Sequence, residues 1–225
     1  MPRRQPDPEE IGAAQAPDLV SAALEWTNLE ALEPEFELEG VRIAGAELRQ
    51  VEAGAGRLAA AQLEDVDLDG AQLHGVALVD VLADRLGAAN GEWRGATLRR
   101  AVLTGSRLTG LDLGESRLED VVLRDCKLDY ANLRHAAIEH VTFSGCVLSG
   151  ADFQGARLRA VRFEDCRLSE ADFSRAELEA VDFRSSQLAL AGSLLGLRGA
   201  IVDSLQLMEL SRPLATELGI SVRDE

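Results

Sequence analysis

The side chains best suited to chemistry in this chain of 225 residues are three cysteines, three histidines and 39 aspartates and glutamates. Cys126, Cys146 and Cys166 stand 20 residues apart, whereas a structural zinc site draws on cysteine pairs about two to four residues apart together with further ligands. An odd number of cysteines in a chain with no secretory signal fits reduced thiols better than a disulfide framework. The expectation is three small core residues and no metal. His74, His135 and His140 are not matched with the nucleophile and orienting carboxylate that an acid–base triad needs. Carboxylate pairs would require a pocket that desolvates them, so a solvated surface is expected instead. Neither G-x-G-x-x-G after a strand nor G-x-x-x-x-G-K-[ST] occurs. No catalytic, cofactor-binding or metal-binding residue is therefore expected, and the chain is read as a non-enzyme.

What positions these residues is a period of five, held in phase from about Phe36 to Leu190. From Leu128 to Phe183 every fifth residue is Leu, Ile or Phe, and the residue two before each is mostly Ala, Val or Cys. Neither the 3.6 nor the 2.0 period of regular structure produces that. Third and first residues of each unit are expected to point inward and the second, fourth and fifth outward, with a bend after each short extended segment. Glycines such as Gly70, Gly110 and Gly150 fall at fifth positions and suit tight corners. The composition agrees: aromatics make up 4% of the chain, as befits a narrow interior repeated many times.

Ala151–Phe153 and Ala171–Phe173 read ADF, and Ala131–Leu133 reads ANL. The pattern resembles the A(D/N)LXX motif of the pentapeptide-repeat family, over about 155 of the 225 residues. The resemblance implies an all-β fold, a right-handed quadrilateral parallel β-helix, with four units per coil. The sequence supports four per coil independently, because Cys126, Cys146 and Cys166 form one file at intervals of 20 and Phe143, Phe163 and Phe183 another. Seven to eight coils, at about 4.8 Å each, make a rod of roughly 35 to 40 Å. Third positions weaken at Val51–Ala60 (Ala53) and at Val81–Asn90 (Ala83, Ala88), followed by Trp93. Either these coils are under-filled and Trp93 compensates by its volume, or they mark a softened kink or partner site.

An open β-helix needs covered ends. Residues 1–16 are expected to be a disordered tail and 17–35 a helical cap, with Asp18 as N-cap of a helix carrying Leu19, Ala23, Leu24 and Leu32. Repeats run over 36–202, where a one-residue slip lets Leu195, Leu197, Ala200 and Val202 resume the inward pattern. A helical cap and tail over 203–225 opens on an Asp203/Gln206 capping box, is divided at Pro213 and stops at Gly219. Leu205, Met208, Leu210, Leu214, Leu218 and Ile220 cannot all cover one coil end. They are the candidate self-association residues for a homodimer through the C-terminal end.

A net charge of −16 disfavours direct binding to nucleic acid or anionic membrane. No apolar run reaches the length of a membrane span and no secretory signal is visible, so the expected location is cytoplasmic. The expected function is a non-catalytic scaffold that binds a protein partner. The resemblance implies a specific alternative, since some members bind DNA gyrase or a related type II topoisomerase as DNA-mimicking rods and protect it from inhibitors, giving antibiotic resistance or self-immunity. Residues 36–190 carry 26 acidic and 18 basic residues, spread over the four faces with no dominant acidic stripe. That is less than half the charge of duplex DNA, which carries one per about 1.7 Å.

Overall fold

The computed structural model describes residues 11–19 and 24–223. The backbone conformation responsible for the fold recurs at every fifth residue from Glu35 to Ser185, where φ is positive whether or not the residue is glycine. Each left-handed residue turns the chain through one corner, and four corners close a coil. Two of the four are hydrogen-bonded β-turns, as in Ala71 N–H to Leu68 C=O at 3.0 Å and Val76 N–H to Leu73 C=O at 3.1 Å. Of the other two, one lies within each longer strand, as Asp80 in Ala77–Asp84 and Arg100 in Thr97–Thr104, and the other follows the strand's end, at Arg85 and Gly105.

Successive coils pair in parallel with residues 20 apart in register: Arg57, Ala77, Thr97, Arg117, Ala137, Arg157 and Glu177 form one continuous file. The result is a parallel β-solenoid of about nine turns. That exceeds the expected seven to eight because partial coils extend it at both ends. Glu25–Trp26 pairs with Val41–Arg42 at the start, and Ala200–Ile201 with Val181–Asp182 at the finish.

First and third positions face inward as expected. Phe143, Phe163 and Phe183 stack with ring centroids 4.9 and 4.8 Å apart and planes within 3°. Phe153 and Phe173 stack opposite them at 4.6 Å, and the two files meet edge to face. In the weak coil at Val81–Asn90, Ala83 and Ala88 are buried in the main core together with Trp93. The Trp93 indole lies against Gly91 within the same turn. A Cβ on Gly91 would stand 3.0 Å from the indole Nε1. At Val51–Ala60 the ring of Phe36 packs over Gly56 in the same manner.

The ends depart from expectation. Among the described residues there is a single α-helix, Ser204–Glu217, and none in the described part of 17–35. Residues 1–10 of the expected tail and 20–23 of the expected helix, Ala23 among them, lie outside the described residues. The first turn that Asp18 would cap falls on residues 20–23, outside the described residues; the N–H of Asp18 donates to Asp80 Oδ1 at 3.0 Å. Residues 24–35 add a partial coil, with Leu32 in the main core, because spaced leucines serve a solenoid edge as well as a helix face. Residues 11–19 run along the flank: Ile11 packs on Ala160, Ala180 and Ile201, and Gln15 N–H reaches Asp120 Oδ1 at 3.1 Å. The expected tail is thus seated against the rod in its described portion.

At the other end the slip is present, since Asp172 pairs with Ala191 and Val181 with Ala200. A 3-10 turn over Leu194–Leu197 rotates the chain there, so Leu194 faces inward and Leu195 is exposed, a correction to the expected Leu195. Leu197, Ala200 and Val202 do pack on the core. The Asp203/Gln206 capping box is formed, and Gln206 Nε2 donates to the carbonyls of Phe183 and Ser186, both at 2.7 Å. Pro213 lies inside the helix without ending it. Leu210 and Leu214, on either side of it, both pack on the coil end, and this anchorage holds the helix across the missing N–H.

Trp93 gives a direct check on this packing. Trp93→Ala is expected to cost about 3–5 kcal/mol of unfolding free energy. Trp93→Phe should cost far less, because the indole Nε1 is buried without a hydrogen-bond partner to lose. Equal losses for both variants in chemical denaturation would show that the ring does not fill the coil.

Candidate interaction surfaces

The flanks of the rod are built from files of outward residues repeated at the coil interval. Asp112, Asn132, Asp152 and Asp172 occupy second positions in one file. Each accepts the N–H two residues on, from Gly114 at 2.8 Å, Arg134 at 3.1 Å, Gln154 at 2.9 Å and Ser174 at 2.7 Å. This is the physical content of Asp or Asn in the motif: a short side-chain acceptor that holds the corner closed. The file is also linked along its length, Asn132 Nδ2 donating to Asp112 at 2.7 Å and Gln154 Nε2 to Asp172 at 2.6 Å. Burial raises the Asp172 carboxyl, but hydrogen bonds from Ser174 and Gln154 with the charge of Arg134 outweigh it and hold the group below its ordinary value. Asp182 is lowered in the same way by Arg184, against burial.

Arginines sit beside acids of the neighbouring coil. Arg85 spans Asp65 at 2.6 Å and Glu64 at 3.0 Å; Arg159 reaches Glu139 at 2.9 Å and Arg94 reaches Glu115 at 2.6 Å. Arg100 Nε donates to Asp80 Oδ1 at 2.6 Å. Exposed pairs of this kind contribute little to stability. They do decide the character of the surface, which is a mosaic of alternating charge in which arginines interrupt the acidic files.

The residues examined for chemistry are dispersed by the same geometry. His74 Nε2 lies 3.4 Å from Glu92, and His140 Nδ1 lies 3.9 Å from Asp120. The ring of His135 lies over Gly155, where a Cβ would stand 2.6 Å from Nδ1. Sequence reasoning missed these histidine–carboxylate contacts, although an interval of 18 or 20 residues signals them once the coil length is known. Cys126, Cys146 and Cys166 are buried free thiols. Each Sγ–H donates to main-chain carbonyls, those of Leu103, Leu123 and Phe143 among them, at 3.4–3.5 Å. Coupling to Cys146 and burial push Cys126 up, and Cys146 itself is pushed up to about 12. Its hydrogen bond with Cys146 lowers Cys166, against burial. Among the described residues no group of three or more His, Cys, Asp or Glu is placed to hold a metal ion. No described helix is long and apolar enough to cross a membrane.

The six candidate self-association residues divide into two sets. Leu210 is buried and Leu214 packs on the coil end. Leu205, Met208, Leu218 and Ile220 point away from it, 71%, 70%, 63% and 57% exposed. Leu195, which the sequence placed inward, and Leu207, which it did not single out, are exposed apolar residues as well.

Family models described as "Pentapeptide repeat region" and "Pentapeptide repeats (8 copies)" match residues 116–191 and 89–125. Residues 89–191 of this chain are pentapeptide repeats of that family. Comparison with curated proteins finds no match. Among solved structures, a trypsin-treated form of QnrB1, described as a plasmid-mediated fluoroquinolone resistance protein, is similar at 17% identity, covering 90% of this chain and 99% of that one with a TM-score of 0.47. HetL, a pentapeptide-repeat protein involved in heterocyst differentiation regulation from the cyanobacterium Nostoc sp. strain PCC 7120, shows 24% identity over 72% of this chain and 91% of its own, with a TM-score of 0.26.

Two outcomes follow for this pentapeptide-repeat rod. A carboxyl held low when folded contributes stability that is complete above the ordinary aspartate value of 3.8 and is lost as the pH falls through the lowered one. Thermal stability is therefore expected to decline below about pH 4. Asp172→Asn, which keeps the corner bond but does not titrate, should lose less on acidification than wild type. An equal acid loss in both would remove Asp172 from the cause. The three thiols should react with a thiol reagent only after denaturation, and rapid native labelling of all three would contradict their inward placement.

Proposed function

We propose that this chain is a non-catalytic scaffold that binds a protein partner through the surface of its β-helix. The observation that carries its assembly is the exposed apolar surface of the C-terminal end, Leu205, Met208, Leu218 and Ile220, which exceeds what covering the coil end requires. Apolar surface of this kind at the end of a rod marks an interface. We assign it to self-association of two rods end to end, leaving the flanks for the partner. The flanks suit recognition by shape and charge position, because every outward residue is held in a file at fixed spacing on a stiff support.

A second reading has the paired rod occupy the groove of DNA gyrase or a related topoisomerase that normally holds DNA, protecting the enzyme from inhibitors. About nine turns at 4.8 Å give roughly 43 Å, and a pair doubles this to about 85 Å, a length that favours it. The mixed charge of the flanks weighs against it, since close mimicry of DNA calls for a nearly continuous acidic surface. The scaffold reading is preferred on that ground.

The deciding experiment measures solution mass for the intact chain and for Met208→Glu combined with Leu218→Glu. It then tests each for partner capture and for an effect on gyrase supercoiling with and without an inhibitor. The expected result is a dimer that the double variant makes monomeric, with capture sensitive to charge reversal on a flank and no effect on supercoiling. A monomeric wild type would remove the end-to-end assignment. Protection of supercoiling would establish the second reading in place of the first.

A further inference from the structure

The corner that carries Asp80, Arg100, Asp120, His140, Ala160 and Ala180 differs from the other three. From Ala60 to Ala180 it has no glycine, and in place of bare corners it carries a run of small and charge-paired side chains on which residues 11–19 lie. Ile11 is 2% exposed and forms a separate apolar cluster with Ala160, Ala180 and Ile201, apart from the main core. Arg162 donates to the Ile11 carbonyl. Farther along, the N–H groups of Gln15 and Asp18 donate to Asp120 and Asp80.

We infer that this corner is a binding site for an extended peptide, filled in this structure by the chain's own residues 11–19. The spacing requires an extended ligand. From the Ala160/Ala180 pair to Asp80 is between four and five coils, about 22 Å at the strand spacing, and seven residues of extended chain supply about 23 Å. Recognition is mainly of the main chain, through one carbonyl and two N–H groups, with a single side chain in an apolar seat. The carboxylates of Asp80 and Asp120 supply the acceptors, and Arg100 keeps Asp80 in place. The ligand class is therefore a peptide with an aliphatic anchor followed by small residues, as in Ile11–Ala16 here, IGAAQA.

The segment is lightly held, which makes it displaceable. Gly12, Ala13, Gln15, Ala16 and Asp18 are exposed, and no strand ladder forms between them and the rod. It also covers a flank and not an open coil end, so the main core is complete without it. A partner segment with the same anchor pattern competes for the seat. This inference rests on the protein-binding reading, yet the two fail separately: peptide titration does not depend on capture by the flanks or on the helical end.

The test uses full-length variants. Ile11→Glu removes the anchor. Ala180→Glu fills the seat, and a charged side chain is compatible with that backbone because Asp80, Asp120 and His140 occupy the same corner at φ 56°, 56° and 53° against 53° for Ala180. Hydrogen exchange at Gln15 and Asp18 should be slow in wild type and fast in both variants, with core amides unchanged. A labelled peptide of residues 11–19 should then bind Ile11→Glu saturably, at least about tenfold more tightly than it binds wild type, whose seat is taken. Adding Ala180→Glu to that variant, or replacing the peptide's isoleucine with glutamate, should abolish binding. Unchanged exchange in Ile11→Glu, no saturable peptide binding, or unfolding of the β-helix in Ile11→Glu would each overturn the proposal. So would a wild-type dimer that Ile11→Glu dissociates, since the segment would then belong to a second copy.

Discussion

Every residue of this rod answers to its counterpart one coil away. Parallel pairing at about 4.8 Å with a constant interval of 20 residues leaves no room for a side chain that does not stack on its neighbour in the file. Phenylalanines therefore lie ring on ring, thiols follow thiols, and the acceptor that closes one corner stands beside the acceptor that closes the next. The left-handed backbone at each fifth residue has the same origin. A corner must turn within one residue, and side chains as large as Tyr130 and Arg100 accept that conformation because the coils on either side impose it.

The same constraint explains where volume is free to vary. A large group is tolerated if the positions around it yield, as Gly91 yields to Trp93 and Gly56 to Phe36. Outside the core the arrangement repeats: Tyr130 lies over Gly150, where a Cβ would stand 2.7 Å from the ring. At these positions glycine makes space for a neighbouring ring.

Much of this was legible in the sequence because the period of five is local and redundant: phase, inward positions, four units per coil and the thiol file follow from it, and the capping box is a local motif of its own. What escaped was non-periodic. Residues 17–35 have leucines at spacings that satisfy a helix, and nothing local distinguishes that from an edge coil. The seat of Ile11 joins residues about 150 apart, beyond any pattern in the chain. Leu194 and Leu195 exchange roles because a 3-10 turn interrupts the extended backbone. Of the candidate site, the excess of apolar residues in the helix was visible, but not which of them the coil end would claim. Inward residues specify the coil and outward residues are free of it, so membership of the family conveys architecture while a partner must be read from the surface.

The stacked rings occupy only the coils from Phe143 to Phe183, and each such pair adds about 0.5–1.5 kcal/mol beyond its burial. In a chain whose stability is a sum of neighbour-to-neighbour terms, that distribution makes the rod mechanically graded. Pulled from both ends, it yields from the aliphatic coils and holds at the aromatic ones. Synthesis meets the same gradient in reverse, because the coils with the strongest cohesion leave the ribosome last. The earlier turns gain their firmest neighbour only when the chain is nearly made.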